Sequence, residues 1–160
     1  MPAANEALGE EIIELLPRLR RFARTLVGNP HDADDLVQIA IERALARSEQ
    51  LRADAPLAGW MFGILRNAWI DETRGRVRRN RLFAPEELGA QVADPMGGRQ
   101  AESLVVQEAV ARLSAEQREV IGLVLIEGLS YREAADILGV PVGTVTSRLA
   151  RAREIGRAHV

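Results

Sequence analysis

The chain predicts an all-α fold, in which two small helical bundles are joined by a flexible linker. Three observations carry this. Apolar residues recur at spacings of three and four through most of the chain, the period of a helix with one buried face. Aromatics make up only 4% of residues, Ala, Leu, Val and Arg dominate, and no alternating apolar–polar run of strand length persists. Glycines and prolines gather between the periodic segments, where they break helices. A chain of 160 residues has room for one domain or two small ones. The periodicity divides it into a first bundle at 1–81, a linker at 82–103 and a second bundle at 104–160.

The first helix is predicted from Ala7 to Val27, with Leu8, Ile12, Leu15, Leu16, Leu19, Phe22, Ala23 and Leu26 on one face. Pro17 lacks an amide proton and is expected to kink or divide it. Gly28-Asn29-Pro30 ends that helix, and Asn29 with Pro30 caps the next. The second helix, His31 to Arg47, buries Ala33, Leu36, Val37, Ala40, Ile41, Ala44 and Leu45. Asp32, Asp34 and Asp35 in its first turn complement the helix dipole. Residues 48–55 form a polar loop. Asp54 and Pro56 then start a third helix with a broad apolar face of Leu57, Trp60, Met61, Ile64, Leu65, Ala68 and Trp69. The two tryptophans are expected in the core, as on most such stripes. This helix is expected to run out at Gly75 into an arginine-rich tail, Arg76, Arg78, Arg79 and Arg81.

No amphipathic pattern holds across 82–103, which contains two prolines, three glycines and several acids and so reads as a tether. Periodicity returns at Leu104. Ser114 with Gln117 forms a capping box before a core helix of Val120, Ile121, Leu123, Val124 and Leu125, which stops at Glu127-Gly128.

The most informative stretch is SYREAADILGVPVGTVTSRLARARE, residues 130–154. Ser130 and Glu133 make a second capping box. Gly139 lies where the helix must stop in a left-handed conformation, and Pro141 starts another helix. Val142, Val145 and Leu149 are its predicted buried stripe. Thr144, Thr146, Ser147, Arg148, Arg151 and Arg153 face the other way, and no acid occurs from Pro141 to Arg153. The pattern is that of a helix-turn-helix that inserts its second helix into duplex DNA. A plain helical hairpin with a solvated arginine face is the alternative, and the acid-free second helix weighs against it.

Composition narrows the rest. The net charge of −2 does not advertise a nucleic-acid binder, yet the charges segregate. Glu6, Glu10, Glu11, Glu14, Asp32, Asp34 and Asp35 lie near the start, while arginines concentrate at 74–81 and 148–153. Local patches steer a phosphate backbone, so the acidic part is expected to meet something other than DNA. All 21 basic residues are arginine, a bias that GC-rich coding explains. With no cysteine, disulfides and thiolate chemistry are excluded. No metal-ligand spacing is visible: Asp54, Asp71 and Glu72 lack an accompanying histidine, and His31 and His159 are far apart and read as surface residues. No cofactor is expected. With no leader peptide or membrane-length apolar run, the chain is expected to be soluble and cytoplasmic.

The ordered set DADDLVQIAIERAL, LAGWMFGILRNAWIDETRGRVRR, a linker and LSAEQREVIGLVLIEGLSYREAADILGVPVGTVTSRLARARE resembles the extracytoplasmic-function (ECF) sigma factors of bacterial RNA polymerase, across nearly the whole chain. The resemblance implies a region 2 bundle that binds core polymerase and melts the −10 element, and a region 4 bundle that reads the −35 element as duplex. By analogy with the DLVQ motif, Asp35, Leu36 and Gln38, with Asp32, contact polymerase; Ile39-Ala40 follow where the family usually places an acid. The loop containing Ser48 and Arg52, with Arg66 and Asn67 near it, is the candidate for an unpaired −10 base. Arg74, Arg76, Arg78 and Arg79 suit the phosphate backbone. The −35 set adds Tyr131 and Arg132 to the arginines and hydroxyls of the recognition helix. An anti-sigma protein is an expected partner, because the chain carries no sensor of its own, and a stress response is the expected setting.

A conventional helix-turn-helix regulator with a dimerising N-terminal bundle is the competing reading, since such proteins read two half-sites. One chain with a tether fits two spaced promoter elements better. An enzyme is not indicated: no nucleophile–base set or phosphate loop is present.

Overall fold

A computed structural model describes residues 2–52, 54–82 and 108–158. Every element among them is helical, and no strand occurs. The first bundle consists of α1 (Pro2–Val27), α2 (Pro30–Ala46) and α3 (Leu57–Leu82), with a 3₁₀ turn at Ser48–Gln50. The second has a helical stretch at 108–111, then α4 (Ala115–Val120), which widens without a break into a π-helical turn (Ile121–Ile126), then α5 (Tyr131–Leu138) and α6 (Val142–Ala158).

Local chemistry sets the helix ends. Asn29 accepts from the backbone N–H groups of His31 and Asp32, and Pro30 follows it. Both capping boxes form: Ser114 exchanges bonds with Gln117, and Ser130 with Glu133. Gly139 takes φ +68° and closes α5, a conformation that costs any residue with a Cβ.

Two helices and several side chains differ from expectation. Pro17 does not divide α1, which runs through it. The proline lies on the exposed face, so water can satisfy the carbonyl that loses its amide partner. Gly75 does not end α3, which continues through the arginine tail to Leu82. Trp60 and Trp69 are half-buried at the margin of the core rather than within it. The linker expected at 82–103 lies outside the described residues, apart from Leu82 at the end of α3.

The core of the first bundle centres on Leu19, Phe22, Leu26, Met61, Phe62 and Leu65, each at most 1% exposed. Phe22 meets Phe62 edge-on at 5.4 Å between ring centroids. Leu45, expected on the buried face of α2, is 36% exposed although the neighbouring Ala44 is fully buried, so it lies outside the buried stripe of that last turn. In the second bundle Val120, Leu123, Ala134, Leu138, Val145 and Leu149 are buried. Val142, the first residue of α6 and expected in its buried stripe, is 42% exposed.

The two cores are continuous. Gly122 packs against the Phe22 ring so closely that a Cβ there would lie 2.9 Å from two ring carbons. Around this contact, three arginines of the first bundle meet two glutamates of the second. Glu127 has a fully buried side chain. Arg21 donates to both its carboxylate oxygens, each at 2.8 Å. Arg18 Nε donates to Oε1 at 3.2 Å and Arg18 Nη2 to the Glu127 carbonyl at 3.1 Å. The Arg18 guanidinium also stacks over Phe62, 5.2 Å from the ring centroid. Arg66 Nε donates to Glu119. The π turn places these groups: its Glu127 N–H bonds the Gly122 carbonyl, so Gly122 and Glu127 stand one wide turn apart on the side facing α1.

Candidate functional site

The residues singled out from the sequence fall on three surfaces. The first is the exposed face of α6. Its start, set by Pro141, brings Thr144, Ser147, Arg148 and Arg151 around one shallow depression with Gly143 and Glu116. Thr146 and Arg153 are exposed beside it, as are Tyr131 and Arg132 in the first turn of α5. Thr146 Oγ1 donates to the Val142 carbonyl, so its hydroxyl is partly engaged by its own helix. Arg148 Nη2 lies 3.6 Å from the carboxylate of Glu116. Glu116 is largely exposed and the Arg148 side chain is 22% exposed; a pair with one solvated partner contributes little to stability, so it orients the arginine at little cost to its release.

The second surface is a groove between α2 and α3. All four residues expected to touch polymerase line it: Asp32, Asp35, Leu36 and Gln38. Leu36 is only 4% exposed, so its contribution is the apolar floor between the acids. The opposite wall is Trp69, Glu72, Thr73 and Arg76. Sequence reasoning did not connect this wall to α2. Arg76 Nη2 donates to Asp32 at 3.3 Å, so an arginine expected on DNA is paired across the groove with an acid expected on polymerase. His31 Nε2 stands 3.7 Å from Asp35, with both side chains mostly exposed.

The third surface follows α3. Arg74, Arg78 and Arg79 are exposed on its C-terminal half. Because the helix continues through Gly75, these arginines stand on a rigid rod rather than a tail, and Arg74 and Arg78 share a face one turn apart. Ser48 is half-buried and Arg52 exposed in the loop before α3, and Asn67 is exposed. Arg66 differs: its side chain is 20% exposed and bound to Glu119. Asp71 is engaged by Arg43 at 2.9 Å.

The charged groups respond to this packing. Burial pushes the Glu119 carboxyl above its ordinary value, and the Arg66 guanidinium opposes that only in part. The bonds to Glu127 hold the Arg21 guanidinium above its ordinary value. Burial lowers that of Arg118, whose Nε is buried with no partner among the described residues. The Ser130 backbone and hydroxyl hold Glu133 below the usual carboxylate range.

Comparison with known proteins places this architecture. Residues 103–155 match sigma-70 region 4, and residues 12–66 match the Sigma2 domain of PhyR. The chain is 37% identical over 151 residues to the ECF RNA polymerase sigma factor EcfG of Rhodopseudomonas palustris, covering 93% of this chain and 82% of that one. It is 39% identical over 139 residues to the ECF RNA polymerase sigma factor SigM of Mycobacterium tuberculosis, covering 85% and 68%. Among solved structures, the sigma factor RpoE in complex with the anti-sigma factor NepR from Bartonella quintana superposes with a TM-score of 0.84 at 32% identity, over 96% of both chains. CnrH in complex with the cytosolic domain of CnrY gives 0.71 at 27% identity, over 98% and 92%.

Proposed function

Because this chain belongs to the ECF RNA polymerase sigma factors, we propose that its three surfaces divide promoter-specific initiation among themselves. The α2–α3 groove binds core RNA polymerase through Asp32, Asp35 and Gln38 over the apolar floor of Leu36. The region around Ser48, Arg52, Arg66 and Asn67 takes the unpaired −10 strand, with Arg74, Arg76, Arg78 and Arg79 along its phosphates. The α6 face reads the −35 duplex, Arg148 being placed for a forked contact to a guanine edge. The chain itself performs no catalysis and works in the cytoplasm with polymerase. An anti-sigma protein holds it silent until a stress signal arrives, as the RpoE–NepR pair suggests by analogy.

The observation that carries this reading is the grouping of residues by role. The four groove residues converge on one concavity, and four of the recognition-helix residues converge on another.

The test is in vitro transcription with purified core polymerase on a library of promoters. The chain is expected to confer initiation at a defined pair of elements. Sequence-specific duplex binding by the chain alone, with no association to polymerase, would refute the assignment.

A further inference from the structure

The contact between the bundles has features that two merely tethered units would not need. The Glu127 carboxylate is completely buried, and both its oxygens accept from arginines of the other bundle. A buried carboxylate is costly unless its hydrogen-bonding capacity is filled, and here the filling comes from α1. A bare backbone position, Gly122, lets α1 approach. The same docking brings Glu119 onto Arg66, leaving that arginine's side chain 20% exposed.

We propose that Glu127 is the catch of a self-inhibiting clasp: with no partner protein bound, it holds the second bundle against α1 through Arg18 and Arg21, and in that closed form Glu119 covers Arg66. Opening the clasp frees Arg66 for the melted strand and lets the bundles separate toward the two promoter elements. The consequence for control is specific. An anti-sigma partner does not have to build an inactive arrangement, because the chain builds one itself. Such a partner needs only higher affinity for the closed form than for the open one. The proposal rests on the assignment of Arg66 to the −10 strand for its inhibitory half, and on geometry alone for its closed half.

The absence of native cysteines makes the test direct. Exposed positions Glu10 on α1 and Asp136 on α5 are changed to cysteine and spin-labelled in the full chain, and the distance between labels is measured by pulsed electron resonance. Wild type is expected to show a dominant short distance. Glu127→Gln places an amide donor against two guanidinium donors. Arg21→Gln removes the fork from the other bundle, at a side chain that is half exposed. Each is expected to lower the closed-to-open ratio at least about tenfold. The combined variant is expected to open little further than either alone, as coupled partners do. Circular dichroism checks that each variant keeps its helices; because the two substitutions lie in different bundles, a folding defect in one bundle cannot account for both. In transcription with core polymerase, both variants are expected to reach half-maximal output at several-fold lower sigma concentration than wild type. A wild-type chain without the short distance, or variants that retain it, would overturn the clasp. Opened variants that need as much protein as wild type would overturn its inhibitory role. Loss of promoter-specific initiation by wild type itself would instead refute the functional assignment, leaving the distance result to decide the closed form.

Discussion

Gly122→Ala sets a gain and a loss of similar size against each other. In an isolated helix the change is favourable, by about 1 kcal/mol in helix propensity. At this position the new methyl carbon would lie 2.9 Å from Cδ1 and Cε1 of Phe22 and 3.3 Å from Cγ2 of Thr25. Neither neighbour can give way cheaply. Phe22 is fully buried and locked edge-on against Phe62, and Thr25 is buried with its hydroxyl bonded to the Arg21 carbonyl. Inserting a methyl into such packing costs roughly 1–3 kcal/mol. That cost applies only while the bundles are docked, whereas the propensity gain applies in both states. The variant is therefore expected to shift the docked-to-separated ratio by about 5- to 150-fold while leaving the second bundle as stable as before or slightly more so. Thermal unfolding followed by circular dichroism would read the second effect, and the distance between labels on α1 and α5 the first. A variant that unfolds at higher temperature with an unchanged distance would refute the reasoning, because it would show that the Phe22 ring yields.

Arg148→Ala should weaken promoter use in a base-dependent way, by about 1–3 kcal/mol at the contacted pair, whereas Arg79→Ala should weaken it evenly across sequences and lower its salt dependence; a promoter library measured at two salt concentrations separates them. Asp35→Arg should reduce affinity for core polymerase severalfold with helical content intact, since an exposed acid in a first helical turn contributes only about 0.3–1 kcal/mol; fluorescence anisotropy with labelled core reads this, and unchanged affinity would remove Asp35 from the interface. Acid titration should show two opposite responses. Glu119 sits above its ordinary value, so its folded environment favours the protonated form: that contribution is complete below the ordinary carboxylate range and is lost as pH rises through the raised value. Glu133 sits below its ordinary value, so its contribution is present above that range and is lost as pH falls through the lowered value. The folded chain should therefore gain slightly from Glu119 on mild acidification, and the first turn of α5 should fray only at lower pH; thermal unfolding across the mildly acidic range follows the first event, amide exchange at Tyr131–Glu133 follows the second, and Glu133→Gln should abolish the pH dependence of the latter.

What could be read from the sequence was what local chemistry decides. Ser114 with Gln117 and Ser130 with Glu133 are three residues apart, and Gly139 needs only its own backbone angle, so each could be placed without the rest of the chain. Family membership, legible in the order of the motifs, followed from the same short stretches. Pro17 and Gly75 were misjudged because both are helix breakers by propensity, while the outcome depended on which face they occupied and what held the helix beyond them. Val142 and Leu45 fit the apolar period yet are exposed, because the period marks a stripe and does not fix its edges. The run VIGLVLI, 120–126, carries no period that distinguishes an α turn from a π turn.

The groups that join the bundles were the least legible, for a physical reason. Glu127 stands in the sequence only as the point where a helix stops, and nothing in the sequence singles out Arg18 or Arg21. Their partners lie 109 and 106 residues away, and nothing in either segment announces the other. A buried carboxylate and an exposed one look alike in sequence; only the docking distinguishes them. The consequence reaches function. Charged residues on a sigma factor invite assignment to DNA or polymerase one by one, yet Arg66 and Arg76 are each held by an acid of the same chain. The surfaces proposed for the promoter and for polymerase are therefore partly satisfied internally, and on that proposal binding either partner means exchanging those internal ion pairs for external ones. Such an exchange costs less than desolvating a free charge. The chain can therefore remain closed in isolation and still open for partners that offer better contacts.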